Sequence, residues 1–324
     1  MSRRPRIVTL TLNPALDMSS EAETVRHTHK VRTSNEVMEP GGGGINVARV
    51  LSRLGDDVTA LFLGGGATGG VLEELLDRGG VRHRMIPIAD DTRLSFTVVE
   101  RTTGKEYRFV PEGPEVSDAE QAQAFDAAVS QSCDYFVASG SLPRGVRKDF
   151  YVRLCTAVTD RGARFVLDTS GAPLAAALEA GGLFLVKPSK RELEGFIGRE
   201  LSREELAEEA KRLVASGKAE NVALTLGGEG AVLASSEGLI ELPALPVKAC
   251  STVGAGDSFV AGMVHGFAVG RSAPEALRVG LAAGAAAVLS CGSELARPED
   301  LERLVGQALS GEQVDDLRGG SDGA

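Results

Sequence analysis

Residues 251–262 read STVGAGDSFVAG: glycine, alanine and glycine directly before an aspartate, with an apolar helical pattern behind. The first amides of a helix have no carbonyl one turn back, and the helix dipole adds partial positive charge there, so such a start attracts anions. A carboxylate in a first turn is also what that dipole favours. Asp257 therefore has two readings. It is a helix cap, or it is a general base that takes the proton of an alcohol. In the second reading the amides of Gly254, Ala255 and Gly256 hold the charge on a transferring phosphoryl group.

A second stretch, EPGGGGINVARVLSRLG (39–55), sets four glycines against an amphipathic helix that starts near Ile45. Four glycines can be a linker, but a linker seldom runs straight into an apolar helix. Bare backbone at Gly42 and Gly43 would let a sugar lie close, with Asn46 directing hydrogen bonds to its hydroxyls. A third stretch, LGGGATGG (63–70), spaces Gly64, Gly66 and Gly69 as G-x-G-x-x-G, and Asp90 and Asp91 follow at the distance of a dinucleotide site. That pattern sits on the second strand–helix unit rather than the first, and it leaves Asp257 and the 41–44 glycines without a role. An NAD-dependent oxidoreductase is the rival reading it supports. No GxxxxGK[ST] loop is present, which sets aside a P-loop kinase.

These residues need a frame. IVTLTL (7–12), VTALFL (58–63), YFVAS (135–139), RFVLD (164–168), LFLVK (183–187) and NVALTL (221–226) read as buried strands. Helical segments lie between them, several opened by capping boxes: Ser117–Glu120, Ser202–Glu205 and Ser272–Glu275. The rhythm predicts an α/β fold, a doubly wound and mostly parallel sheet flanked by helices. Residues 18–38 and 92–111 break it with period-two alternation, the second around a TTGK turn. They read as half-exposed antiparallel strands forming a small discontinuous lid, a dimer surface, or both. The lid segments carry Arg26, Lys30, Arg32, Arg93, Arg101, Lys105 and Arg108, the densest basic region at the presumed mouth.

The 324 residues carry a formal net charge of −10, which argues against general nucleic-acid binding. No apolar run reaches the roughly 20 residues of a membrane helix, and the start lacks a signal-peptide pattern, so the expectation is cytoplasmic. Cys133, Cys155, Cys250 and Cys291 form no CxxC pair and are expected as reduced thiols. His27 and His29 are expected to be solvated.

With these motifs together, the sequence resembles the ribokinase-type carbohydrate kinase family from about residue 6 to 309. TLTLNPALD, EPGGGGINVAR, GGATG, SGSLPRGV, VKPSKRE and STVGAGDS carry the resemblance, most closely to its minor ATP-dependent 6-phosphofructokinase branch. The resemblance implies that Asp17, Gly42, Gly43 and Asn46 hold sugar hydroxyls. It places Lys30, Arg93 and Ser141 at a phosphate already on the sugar, and Asp257 as base beside the Gly254–Gly256 anion hole. Lys187, Ser189, Thr225, Gly227 and Gly230 would line the ATP site. Glu192, acting through water, and Asp168 would serve Mg²⁺. Ser251, Val253, Ala287, Ser290 and Gly292 would form a monovalent-cation loop for K⁺.

Two departures stand out. Ser189-Lys-Arg-Glu192 replaces the family's Asn-x-x-Glu, and LSCGSEL (289–295) places Cys291 and Glu294 in the cation loop. The expected protein is one kinase domain over 1–310 with a polar tail at 311–324, dimeric through its lid. The expected reaction is ATP-dependent phosphorylation of a ketohexose phosphate, fructose 6-phosphate to fructose 1,6-bisphosphate. Tagatose-6-phosphate kinase, 1-phosphofructokinase and a non-catalytic sugar-phosphate sensor are the alternatives.

Overall fold

The computed structural model describes residues 3–290 and 295–310. The chain opens with β1 (Arg6–Thr11), β2 (Ala15–Ala22), β3 (Ser34–Gly41), α1 (Gly43–Arg53), β4 (Asp57–Gly64), α2 (Gly66–Arg78) and β5 (His83–Pro87). It continues through β6 (Arg93–Glu100), β7 (Glu106–Phe109), α3 (Asp118–Val129), β8 (Tyr135–Ser139), α4 (Phe150–Thr159), β9 (Arg164–Asp168) and α5 (Gly171–Ala180). Then come β10 (Leu183–Val186), α6 (Lys190–Ile197), α7 (Arg203–Ala215), β11 (Ala219–Thr225), β12 (Ala231–Ser235) and β13 (Gly238–Leu242). Three helices close it: α8 (Ala255–Ala268), α9 (Ala273–Val288) and α10 (Pro298–Ser310).

Nine strands form one sheet in the order β13-β12-β11-β10-β9-β8-β1-β4-β5. All its pairings are parallel except β11–β12 and β12–β13. Alternate residues of the strands enter two apolar cores. Tyr135 and Val137 of β8 face α1, α2, α8, α9 and α10, while Phe136 and Ala138 face α3 to α7. The strands are apolar on both faces because both faces are covered. From β1 the chain builds outward to β4 and β5, then returns to β8 and builds the other way. That reversal between β1 and β8 is the switch point where a ligand crevice opens beyond the carboxyl ends of the strands.

The predicted lid is a separate four-stranded sheet, β3-β2-β6-β7. Its strands start and stop a few residues from the expected bounds, and residues 23–33 join β2 to β3 without strand structure. One expectation needs correction: the lid is mixed, because β2 pairs with β6 in parallel from Ala15↔Arg93 to Ala22↔Glu100. The connection from β2 to β6 passes through the main body, which a hairpin could not do. The TTGK hairpin does join β6 and β7 as read, with Gly104 at φ 67°.

The three capping boxes are present, and Ser189–Glu192 forms a fourth. The cysteine expectation fails at Cys250, which is disulfide-bonded, whereas Cys133 and Cys155 are free. Cys291 and Glu294, with the 311–324 tail, lie outside the described residues. His27 and His29 are exposed, as expected. No helix among the described residues is long and apolar enough to cross a membrane.

Helices α8 and α9 approach closely because small residues face each other. A Cβ on Gly262 would lie 2.6 Å from the Val279 carbonyl oxygen and 2.8 Å from the Ala283 methyl. Gly195 in α6 has open space around it and an ordinary backbone conformation. Gly262→Val is therefore expected to lower stability by about 1–3 kcal/mol through overpacking. Gly195→Ala should raise it by roughly 0.5–1 kcal/mol through helix propensity. Urea unfolding midpoints read both, and a shift of the same sign in the two variants would contradict this packing.

Candidate active site

The α1 helix begins directly on the carboxyl ends of β1 and β8. Its glycines are tight for reasons of packing as well as access. Gly42 has φ 112°, and a Cβ there would sit 2.7 Å from the Thr11 methyl. A Cβ on Gly43 would fall on the Ser139 hydroxyl, and one on Gly44 would lie 2.6 Å from the Leu10 carbonyl oxygen. The Ile45 amide donates to the Thr11 hydroxyl at 2.8 Å. The linker reading of this run is thereby excluded: the glycines let the first turn of α1 rest on sheet backbone.

That turn aims Asn46 at Asp257. The Asn46 Nδ2 donates to Asp257 Oδ2 at 2.8 Å, across 211 residues of sequence. Asp257 lies in the first turn of α8, behind Gly254 in the left-handed region at φ 71°. The Ala255 amide turns back to the Thr252 carbonyl at 3.4 Å, so of the predicted amide nest Gly256 is the better-placed donor. Asp257 keeps an accessible edge toward the cleft although protein crowds it. Burial pushes its carboxyl up to about 7, and Asp168 and Asp17 push the same way, against the Asn46 bond and the Lys187 charge.

Lys187, just past β10, is buried and pairs with Asp168 at 3.1 Å. Its Nζ lies 3.7 Å from where a Gly256 Cβ would be, which puts the ammonium beside the α8 amides. Burial works against the ammonium, but Asp168, Glu192 and Asp257 outweigh it and hold the Lys187 pKa above its usual value. Burial raises the Asp168 pKa, and Glu192 adds to that. The Ser189 hydroxyl accepts from the Glu192 amide at 3.3 Å, and Glu192 Oε2 accepts from the Ser189 amide at 2.7 Å. Ser189 bridges to Thr225, whose amide donates to the Pro188 carbonyl. Gly227 and Gly230, both at positive φ, turn the chain just beyond. These residues line neighbouring strand ends, those of β10 and β11.

On the lid side, Asp17 of β2 stands opposite Glu39 of β3 and beside Ser95 of β6. Burial raises the Asp17 pKa, while the Ser95 hydroxyl, Arg93 and Arg108 work against the rise. A Cβ on Gly41 would fall on the Asp17 carboxylate. Arg93 is committed further than the sequence indicates. Its guanidinium donates to the carbonyls of Asn13 at 2.9 Å, Pro14 at 3.3 Å and Pro111 at 2.9 Å. Asn13 Nδ2 donates in turn to the Ser141 hydroxyl at 3.1 Å. Lys30 is not brought to this group: it is exposed on the 23–33 connection, with no hydrogen bond or ion pair among the described residues.

The remaining expectations divide. Ser251 and Ser290 are buried, Val253 is half-buried, and Ala287 lies in the last turn of α9, where its carbonyl accepts from the Ser290 amide at 3.1 Å. The Ser290 hydroxyl is buried, with no hydrogen-bond partner among the described residues. Gly292 lies outside the described residues. The 64–69 glycines are filled from within. A Cβ on Gly66 would fall on the Asp91 carboxylate, one on Gly65 on the Asp90 carbonyl, and the Gly65 amide donates to the Thr92 hydroxyl at 3.1 Å. The loop at 88–92 thus occupies the ground a pyrophosphate would need. Sequence reasoning passed over Asn13, Arg49 and Glu39. Asn13 and Arg49 stand inside motifs already singled out, but nothing in their spacing marked them.

The comparisons agree with this geometry. Residues 12–300 match the pfkB family carbohydrate kinase profile. The ATP-dependent 6-phosphofructokinase isozyme 2 of Mycobacterium tuberculosis is 44% identical over 304 residues, covering 93% of this chain and 89% of the relative. The 1-phosphofructokinase of Bacillus subtilis is 34% identical over 301 residues, 92% of this chain and 97% of the relative. The crystal structure of Escherichia coli phosphofructokinase-2 in complex with potassium superimposes with a TM-score of 0.90 at 38% identity, covering 94% and 99% of the two chains. Since the matched stretch runs from the end of β1 into α10 and takes in both sheets, the chain belongs to the pfkB family of carbohydrate kinases.

Proposed function

We propose that this protein transfers the γ-phosphoryl group of ATP to a ketohexose phosphate, fructose 6-phosphate first among them, to give fructose 1,6-bisphosphate. The observation that carries the reading is the Asn46–Asp257 bond. It holds a carboxylate of pKa about 7 at the mouth of a helix, beside a buried ammonium. A base of that pKa suits an alcohol acceptor at neutral pH. Asp257 takes the hydroxyl proton as the oxygen attacks. The Gly256 amide and Lys187 hold the charge of the phosphoryl group in flight, and the lid excludes water. The two fructose phosphates acted on by the named relatives make 1-phosphofructokinase the alternative substrate reading, with tagatose 6-phosphate beside it.

Mg²⁺ fits the site by donor chemistry. Asp168 and Glu192 are hard oxygen donors that repel each other across Lys187, and a divalent cation held through water would relieve that repulsion. The Ser290 hydroxyl, without a hydrogen-bond partner among the described residues, is an oxygen a monovalent cation would satisfy, in keeping with the potassium complex of the E. coli enzyme. The lid exposes Val37, Met38 and Phe109, each about half open or more, and these apolar faces support a homodimer closed through the lid. The E. coli neighbour also has a tetrameric inhibited form.

Arg93 has five N–H donors and spends three on carbonyls, leaving two for a substrate phosphate. Arg93→Ala is expected to raise KM for fructose 6-phosphate by about 10- to 150-fold and to leave KM for ATP within a few-fold. Arg93→Lys should not restore it, because one ammonium cannot span three carbonyls and a phosphate. A coupled assay comparing fructose 6-phosphate, tagatose 6-phosphate and fructose 1-phosphate ranks the substrates. The substrate assignment fails if free fructose outperforms all three.

Asp257→Asn should lower kcat by on the order of 10²–10⁴-fold. In the parent, kcat/KM should rise with pH through about 7 as Asp257 loses its proton. The stability effect has the opposite direction. A carboxyl whose pKa is raised on folding favours the folded state at low pH, and that contribution is lost as pH climbs from about 4 to about 7. Asp257→Asn should therefore gain melting temperature over the parent across that window and level off above it. A flat difference from pH 4 to 8, with near-normal turnover, would make Asp257 a helix cap.

A further inference from the structure

We propose that Arg49 is the positioning residue of the sugar site, clamping the last turn of the lid strand β3 to α1 so that Asp17 and the 41–46 segment face the substrate together. The clamp is two-pronged. Arg49 Nη2 donates to Glu39 Oε1 at 2.8 Å, and Nη1 donates to the Pro40 carbonyl at 2.9 Å. Both partners are largely buried, with side-chain exposures of 10% and 13%. Arg49 stands one helical turn beyond Asn46, so one face of α1 holds the base with one residue and the lid with the next.

What the clamp spans explains why it is needed. Between Pro40 and Ile45 the chain is glycine alone, the most pliable backbone available. Gly41 has no room for a side chain because the Asp17 carboxylate lies against it. Stiffness at this junction must therefore come from outside it, and Arg49 supplies it by closing the turn. It also cancels the charge of Glu39, which stands directly across from Asp17 in the β2–β3 register. An unpaired Glu39 would set a second negative charge beside the carboxylate that faces the sugar.

The sugar part of this inference rests on the kinase reading above; the lid part does not. Removing Arg49 alone would take the arginine from a largely buried carboxylate and risk misfolding, so the main variant is the double Glu39→Gln/Arg49→Met, which removes both charges of the pair. Arg49→Lys is its companion, keeping charge but not the two-pronged grip. Two measurements are made on the full chain. Hydrogen exchange should speed up by about 10-fold or more over residues 15–22 and 34–41 in the double variant, and stay as in the parent over 255–268. Calorimetric titration with fructose 6-phosphate, tagatose 6-phosphate and fructose 1-phosphate should show the parent's preferred ligand bound roughly 10-fold more weakly, with Mg·ATP unchanged. Arg49→Lys should recover melting temperature while keeping the weakened sugar binding.

Unchanged exchange over both lid strands overturns the clamp whatever the substrate proves to be. Equal weakening of sugar phosphate and Mg·ATP overturns it also, since that is loss of overall stability rather than of positioning. Faster lid exchange in a protein whose parent binds none of the three sugar phosphates keeps the lid clamp and removes the substrate reading instead.

Discussion

Charge balance around Lys187 constrains the rest of this site. One buried ammonium answers three carboxylates, Asp168 at the end of β9 and Glu192 and Asp257 in the first turns of α6 and α8. Three negative groups cannot all be ionised there without cost, and burial, with Asp168 and Asp17, raises the Asp257 carboxyl to about 7. A carboxyl raised in this way suits the general-base role proposed for Asp257. It also follows that positive charge arriving with the nucleotide would be welcomed by the same residues. Asp168 is placed for that role by its strand, and Glu192 is tethered by the Ser189 amide. The serine that departs from the family pattern therefore still orients the glutamate, through backbone, in a closed capping box.

The charges can be arranged in this way only if backbone approaches backbone closely. Gly42, Gly43 and Gly44 bring α1 onto the ends of β1 and β8, and Gly254 turns the chain into α8. Asn46 and Asp257 then meet although they come from different ends of the sequence. Gly262 and Gly280 in turn let α8 settle against α9, which fixes where the first turn of α8 points. Glycine is costly in an unfolded chain, and these positions repay it with proximity rather than with flexibility.

Much of this was legible in the sequence, and for physical reasons. Buried strands announce themselves by apolar runs, and capping boxes announce helix starts, so the doubly wound sheet followed from local signals, while its switch point needed the strand order. Asp257 and the 41–44 glycines were legible as candidates because a carboxylate and bare backbone stand at helix mouths, though a cap and a linker were open readings of the same residues. Sheet pairing was not. The parallel β2–β6 partnership joins strands separated by β3, α1, β4, α2 and β5, and no local alternation encodes it. Strands β12 and β13 were too short and too mixed to stand out. Arg93 and Arg49 were visible as charges, but Arg93 spends its donors on backbone carbonyls and Arg49 divides its between the Pro40 carbonyl and Glu39, pairings that leave no mark on composition.

The two arginines share a logic that bears on how the lid works. A lid must move to admit substrate and be fixed when it closes. Here Arg93 grips the exits of β1 and β7, and Arg49 grips the exit of β3, so the lid is anchored at its roots while its outer strands stay exposed. The two grips differ in kind: Arg93 holds three backbone carbonyls, whereas Arg49 holds one carbonyl and the Glu39 carboxylate. Asp257, raised to about 7 by burial, is thus set against a lid anchored at its roots. On the proposed reading, that anchoring would hold the sugar-facing residues in place while the charge of the base changes.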